Sequence, residues 1–147
     1  MAVSREPRAV GRTRVEVHGA HSEQEARALR RFLREVAAAE KCTARELSLV
    51  LVTNPEIRRL NRRFLGRNRF TDVISFPISS EFLGEIYVSR DRARLQAREY
   101  DVPVEEELYR LVLHGLLHLL GYSHHQMPPL ERRYLASSVV RSVNCEG

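Results

Sequence analysis

The segment from His114 to His125 reads HGLLHLLGYSHH. His114 and His118 are four residues apart, so on a helix their rings project from one face and can reach a common ion. Gly121 follows three residues later, where a glycine can take the left-handed conformation that ends a helix and turns the chain back. Such a turn can swing His124 round to the same point. Three imidazole ligands leave the fourth position of a tetrahedral zinc ion for water, which is the form of a catalytic rather than a structural site. One Zn2+ is therefore the expected cofactor, with His114, His118 and His124 as its ligands.

The spacing HxxxHxxGxxH is shared with the metzincin zinc proteases. The residue after the first histidine, however, is Gly115, where those proteases carry the glutamate that serves as general base. A metal here can still polarise an oxygen or supply hydroxide from bound water. Peptide hydrolysis by the usual route lacks its proton acceptor, and a peptidase or amidase would need a base from Asp72 or elsewhere.

Charge points to a different substrate. Lys plus Arg number 24 against 19 for Asp plus Glu, a net charge of +5, and all but one of the cations are Arg. A guanidinium offers a planar fork of donors suited to phosphate, which favours nucleic acid over an acidic membrane. Six of the arginines fall between Arg58 and Arg69, where they form either a solvated helix face or one side of a groove that attracts a phosphate backbone. Arg27, Arg30, Arg31 and Arg34 are expected to face solvent, as are His18, His21 and His125. Tyr122 is expected to pack in its turn rather than stack on a base, so recognition would rest on charge and shape.

These residues need elements to position them. A weak alternation over Thr13 to Val17 predicts a first strand. Ser22 with Glu25 forms a capping box ahead of Ala26, Leu29, Leu33, Val36 and Ala37, which predicts a helix to about Glu40. The apolar run Leu47 to Val52 predicts a buried strand. Asn54 and Pro55 then open a second helix with Ile57, Leu60 and Phe64 inward. Asp72 to Phe76 and Gly84 to Val88 predict two strands able to pair as a hairpin, joined through Pro77. Ser89 caps a short helix to about Tyr100, and Pro103 with Glu105, Glu106 and Glu107 opens the helix that carries Leu108, Leu111, Val112, Leu116 and the first two histidines. Pro128 and Pro129 start a last helix bearing Leu130, Tyr134, Val139 and Val140. The expected fold is α+β: residues 1–147 as one domain, a small mixed sheet of three or four strands covered by about five helices, with a metal helix like that of zinc proteases.

Two cysteines, Cys42 and Cys145, lie far apart without a CxxC spacing, which fits a reducing interior. Met1 to Val10 is charged and lacks the apolar core of a signal peptide, and no run approaches the length of a membrane span. A cytoplasmic location is expected.

The histidine segment resembles the hallmark of the YbeY-type endoribonucleases, matching at His114, Gly115, Leu117, His118, Leu119, Gly121, Tyr122 and His124. A second similar stretch runs through Leu60, Asn61, Thr71, Asp72, Val73, Ile74, Ser75 and Phe76 to Leu83, Gly84, Glu85 and Ile86. The resemblance implies metal-dependent, single-strand-selective cleavage of RNA in ribosomal RNA maturation and ribosome quality control, with the small subunit as partner. Two departures bear on mechanism. Ser123 replaces the family's usual Asp and so removes a possible carboxylate behind the ligands. Leu65 stands where the family has an arginine thought to serve cleavage, which leaves Arg63 and Arg67 as candidates for that role beside His114, Asp72 and Ser75. A non-cleaving ribosome-assembly factor with a structural zinc is the alternative.

Overall fold

The apolar run at Leu47 to Val52 becomes the inner strand on which the rest is built. The computed structural model describes residues 13–65, 73–77 and 82–136, with residues 64, 65 and 73–77 described by their backbone alone. Strand β2 (Glu46–Val52) buries Leu47, Leu49 and Leu51. Strand β1 (Arg14–His18) lies parallel to it on one side and β4 (Phe82–Ser89) parallel on the other. Strand β3 (Val73–Pro77) completes the order β1-β2-β4-β3 by pairing antiparallel with β4, from Val73 opposite Val88 to Pro77 opposite Gly84. The expected hairpin forms, and the sheet is mixed and four-stranded. Pro77, expected in the connection, instead ends β3, an edge strand, where a residue without an N–H is tolerated.

Parallel neighbours require crossovers. Helix α1 (Glu23–Ala39) supplies the first and buries Ala26, Leu29, Phe32, Leu33, Val36 and Ala37. Ser22 Oγ accepts the N–H of Glu25 at 3.1 Å, as the cap predicts, while the Glu25 carboxylate reaches one residue further out to the N–H of His21 at 2.8 Å. Helix α2 (Asn54–Leu65) follows β2. Its cap is Thr53 rather than Asn54: Thr53 Oγ1 accepts from the N–H of Glu56, and Glu56 accepts from the N–H of Thr53 at 2.9 Å. Asn54 has another task. Its side-chain oxygen accepts from Ser89 Oγ at 2.6 Å, and its N–H donates to Asp91 at 2.7 Å, which ties α2 to the start of helix α3 (Arg90–Tyr100).

Helix α4 (Val104–Leu119) is the second pillar of the core. It packs against β3, β4 and α3, and so buries Tyr109, Leu113 and Leu117 in addition to the expected Leu108, Leu111, Val112 and Leu116. A helix enclosed on several sides must be apolar round most of its circumference. Tyr109 meets Phe32 of α1 edge to face, with centroids 5.1 Å apart. A single 3-10 turn, His124–Gln126, leads into helix α5 (Met127–Tyr134), which has its prolines in the first turn. Among the described residues, no helix is long and apolar enough to cross a membrane.

Candidate metal centre

The end of α4 fixes the first two histidines. Leu113, Leu116 and Leu117 have no exposed surface, and their burial sets the helix's rotation, so that His114 and His118 share a half-exposed side with ring centroids 4.7 Å apart. The helix closes at Leu120. Gly121 takes φ +101°, its N–H donates to the carbonyl of His118 at 3.0 Å, and the N–H of Tyr122 donates to that of Leu117 at 3.0 Å. This pair of bonds is a Schellman closure, which satisfies carbonyls that the helix end would otherwise orphan.

The reversal delivers the third histidine. Ser123 caps the following 3-10 turn: its N–H donates to Gln126 Oε1 at 2.8 Å, and its carbonyl accepts the N–H of Gln126 at 3.0 Å. His124 then sits 5.0 Å from the ring of His114 and 4.8 Å from that of His118. One nitrogen from each of the three lies within 4.8 Å of the others, a group able to hold a metal ion. His124 is exposed, so the cluster is open on that side. Burial, then the proximity of His114 and His124, pushes the pKa of His118 down, favouring the neutral imidazole that binds metals.

A layer of acids and phenols braces this cluster from behind. Tyr122 donates to Glu40 at 2.5 Å, and Tyr134 of α5 donates to the other oxygen of the same carboxylate. Burial and the bond to Glu40 push the Tyr134 pKa up to about 12. Glu131, also on α5, places a carboxylate oxygen 3.7 Å from His114 Nδ1. Tyr122 thus packs its turn as expected. Glu40 and Glu131 carried no sequence signal, because their partners come from other elements. Buried Glu107 was read only as a first-turn acid; it forms an ion pair with Arg110 at 2.5 Å, which its i, i+3 spacing could have revealed.

Of the remaining candidates, Arg63 is described in full and Ser75 by its backbone. Arg63 lies on α2, where Arg59, Arg62 and Arg63 line a groove of about 400 Å3 with Val52, Glu56 and Leu60. None of the three histidines is part of that lining. Ser75 is in β3 with its backbone opposite Ile86. Asp72 and Arg67 fall outside the described residues, as do Val139, Val140 and Cys145. Gly115 is buried in α4, while His18, His21 and His125 are exposed as expected.

Comparison with known proteins finds relatives over most of the chain. A family profile described as "Endoribonuclease YbeY" matches residues 12–137. The chain is 40% identical over 113 residues to a protein named Endoribonuclease YbeY from Syntrophus aciditrophicus, covering 71% of each chain. It is 40% identical over 130 residues to the protein of that name from Anaeromyxobacter dehalogenans, covering 83% of this chain and 66% of the other. A solution structure from Thermotoga maritima superposes with a TM-score of 0.68 at 30% identity, over 90% of this chain and 95% of that one. The match spans the sheet, the helix that presents two histidines and the turn that presents the third, and on that ground the chain belongs to the YbeY family.

Proposed function

We infer that the chain is a metal-dependent endoribonuclease that cuts single-stranded RNA, with ribosomal RNA as substrate, the small ribosomal subunit as partner and the cytoplasm as its place of action. Residues 1–147 would work as one catalytic domain. The observation that carries this reading is the convergence of three imidazoles on an open helix end, in a chain whose family bears the name of an RNA-cutting enzyme.

One zinc ion is the cofactor that best fits the donors. A tetrahedral zinc with Zn–N bonds of about 2.1 Å needs nitrogens roughly 3.4 Å apart, and three donors already within 4.8 Å reach that spacing by side-chain rotation. His114, His118 and His124 would hold the ion. When bound, it supplies Lewis acidity at a scissile phosphate oxygen.

The chain's own residues do the rest. The buried leucines of α4 keep two imidazoles in place without substrate, so little reorganisation is needed when RNA arrives. Gly115 offers no proton acceptor beside the first ligand, which separates this site from the peptide-cutting one of similar spacing. Arg59, Arg62 and Arg63 draw the RNA backbone onto α2 by charge. Arg63 and Arg67 are our candidates for the guanidinium that offsets charge on the scissile phosphate in place of Leu65, with Asp72 as proton acceptor and Ser75 lining the site.

Zinc content and cleavage of single- against double-stranded RNA, measured for wild type and His114→Ala, test the proposal. Zinc-loaded wild type should cut the single strand, and the variant should not. Wild type that holds zinc and binds RNA but leaves it intact would instead make the chain a non-cleaving assembly factor.

A further inference from the structure

We propose that Glu131 is the positioning residue of the first metal ligand: its carboxylate faces Nδ1 of His114, closes onto the Nδ1–H when the ion binds, and thereby fixes Nε2 as the nitrogen that faces the ion. This rests on the reading of the three histidines as a zinc site. The two side chains face each other with Oε2 and Nδ1 3.7 Å apart, and they are only 19% and 18% exposed. A carboxylate largely covered by its neighbours gains from a group that can donate to it.

The nearest competing explanation is that Glu131 serves as countercharge to Arg110, one turn before His114 on α4, which does feel its charge. Arg110 is already engaged. Its Nε donates to both oxygens of Glu107 at 3.0 and 3.2 Å, and its terminal nitrogen donates to Glu107 at 2.5 Å and to Gln96 at 3.3 Å. Among the described residues, His114 is the polar group that Glu131 faces at 3.7 Å.

The direction of Glu131 is imposed by α5. Met127, Glu131 and Tyr134 recur at helical spacing on one face. Met127 is 2% exposed and Tyr134 is 6% exposed and tied to Glu40, so the acid between them is carried inward onto the metal helix. Ser123, beside the third ligand, brings a hydroxyl and spends it on the cap of the 3-10 turn. Glu131 therefore supplies from α5 the carboxylate that the ligand segment lacks. Such a partner selects the tautomer, orients the ring and raises its basicity toward the metal.

The test is zinc affinity, by competition with a chromophoric chelator, for wild type, Glu131→Ala and Glu131→Gln, beside melting of each apoprotein. Glu131→Ala should weaken zinc binding roughly 10- to 100-fold and leave apoprotein melting unchanged. Glu131→Gln keeps an acceptor oxygen and should regain most of that loss. Nitrogen-15 spectra of the zinc-loaded wild type should show His114 protonated at Nδ1. The inference is overturned if Glu131→Ala binds zinc like wild type, if its loss is matched by a fall in apoprotein melting, or if Glu131→Gln is no better than Glu131→Ala. Wild type that takes up no zinc would overturn the metal site itself, and this inference with it.

Discussion

Replacing Gly121 by alanine should destabilise the apoprotein by about 1–2 kcal/mol, the cost of holding an L-residue in left-handed backbone. The structure isolates that cost. Gly121 has φ +101°, and a Cβ built there would meet nothing within 4 Å, so no clash adds to it. Gly19 is the internal contrast: its φ is +84°, and a Cβ there would lie 2.3 Å from the carbonyl oxygen of Leu51, a backbone atom that cannot swing aside. Gly19→Ala should therefore cost more than Gly121→Ala, while Gly121→Asn should cost less, since asparagine tolerates the left-handed region. Denaturant midpoints of the apoproteins rank the three. Only position 121 steers His124, so zinc affinity should fall for Gly121→Ala and hold for Gly19→Ala molecules that remain folded. If Gly121→Ala costs as much as Gly19→Ala, or Gly121→Asn costs as much as Gly121→Ala, the account of the turn is wrong.

Leu113 is fully buried one residue before the first ligand, and Leu113→Ala should cost about 2–5 kcal/mol in chemical unfolding. Tyr134 has a folded pKa of about 12 against an ordinary value of 10.0. Its contribution to stability is therefore complete below pH 10 and should be lost between about pH 10 and 12, by up to roughly 2–3 kcal/mol. Tyr134→Phe should flatten that part of the stability profile, and tyrosinate absorbance on alkaline titration reads the shift directly. Arg62→Ala and Arg63→Ala should each weaken binding of single-stranded RNA and reduce the slope of log affinity against log salt by about 0.7, measured by fluorescence anisotropy.

The metal centre was legible because its information is local. Helical spacing aligns His114 with His118, and Gly121 marks the reversal that returns His124; none of these needs knowledge of the tertiary fold. The strands were legible for a similar reason, since a short apolar run such as Leu47 to Val52 has few places to go but a sheet interior. Choices between near-equivalent local partners were less visible. Thr53 and Asn54 are both good caps, and Asn54 is diverted by Ser89 and Asp91, which arrive from a different part of the chain. The stripe read on α4 was too narrow because leucine at 113 and 117 acquires its meaning only when the helix is enclosed on several sides. Glu40 and Glu131 look like ordinary surface acids until α5 folds back.

The bonds to Glu40 from its two tyrosines also govern when the turn that carries His124 becomes braced. Glu40 lies 82 residues before Tyr122 and 94 before Tyr134. His114 and His118 come into line as soon as α4 winds, an event of microseconds or less, whereas contacts across so long a separation must await the closure of large loops. On a chain made from its N-terminus, the carboxylate is in place long before the phenols it receives. The three histidines are thus aligned early by local structure, and the bonds to Glu40 that brace their turn arrive with the docking of α1 and α5. The bracing of the turn is therefore a late event of assembly, and the histidine cluster is held firmly only in a chain whose α1 and α5 have met.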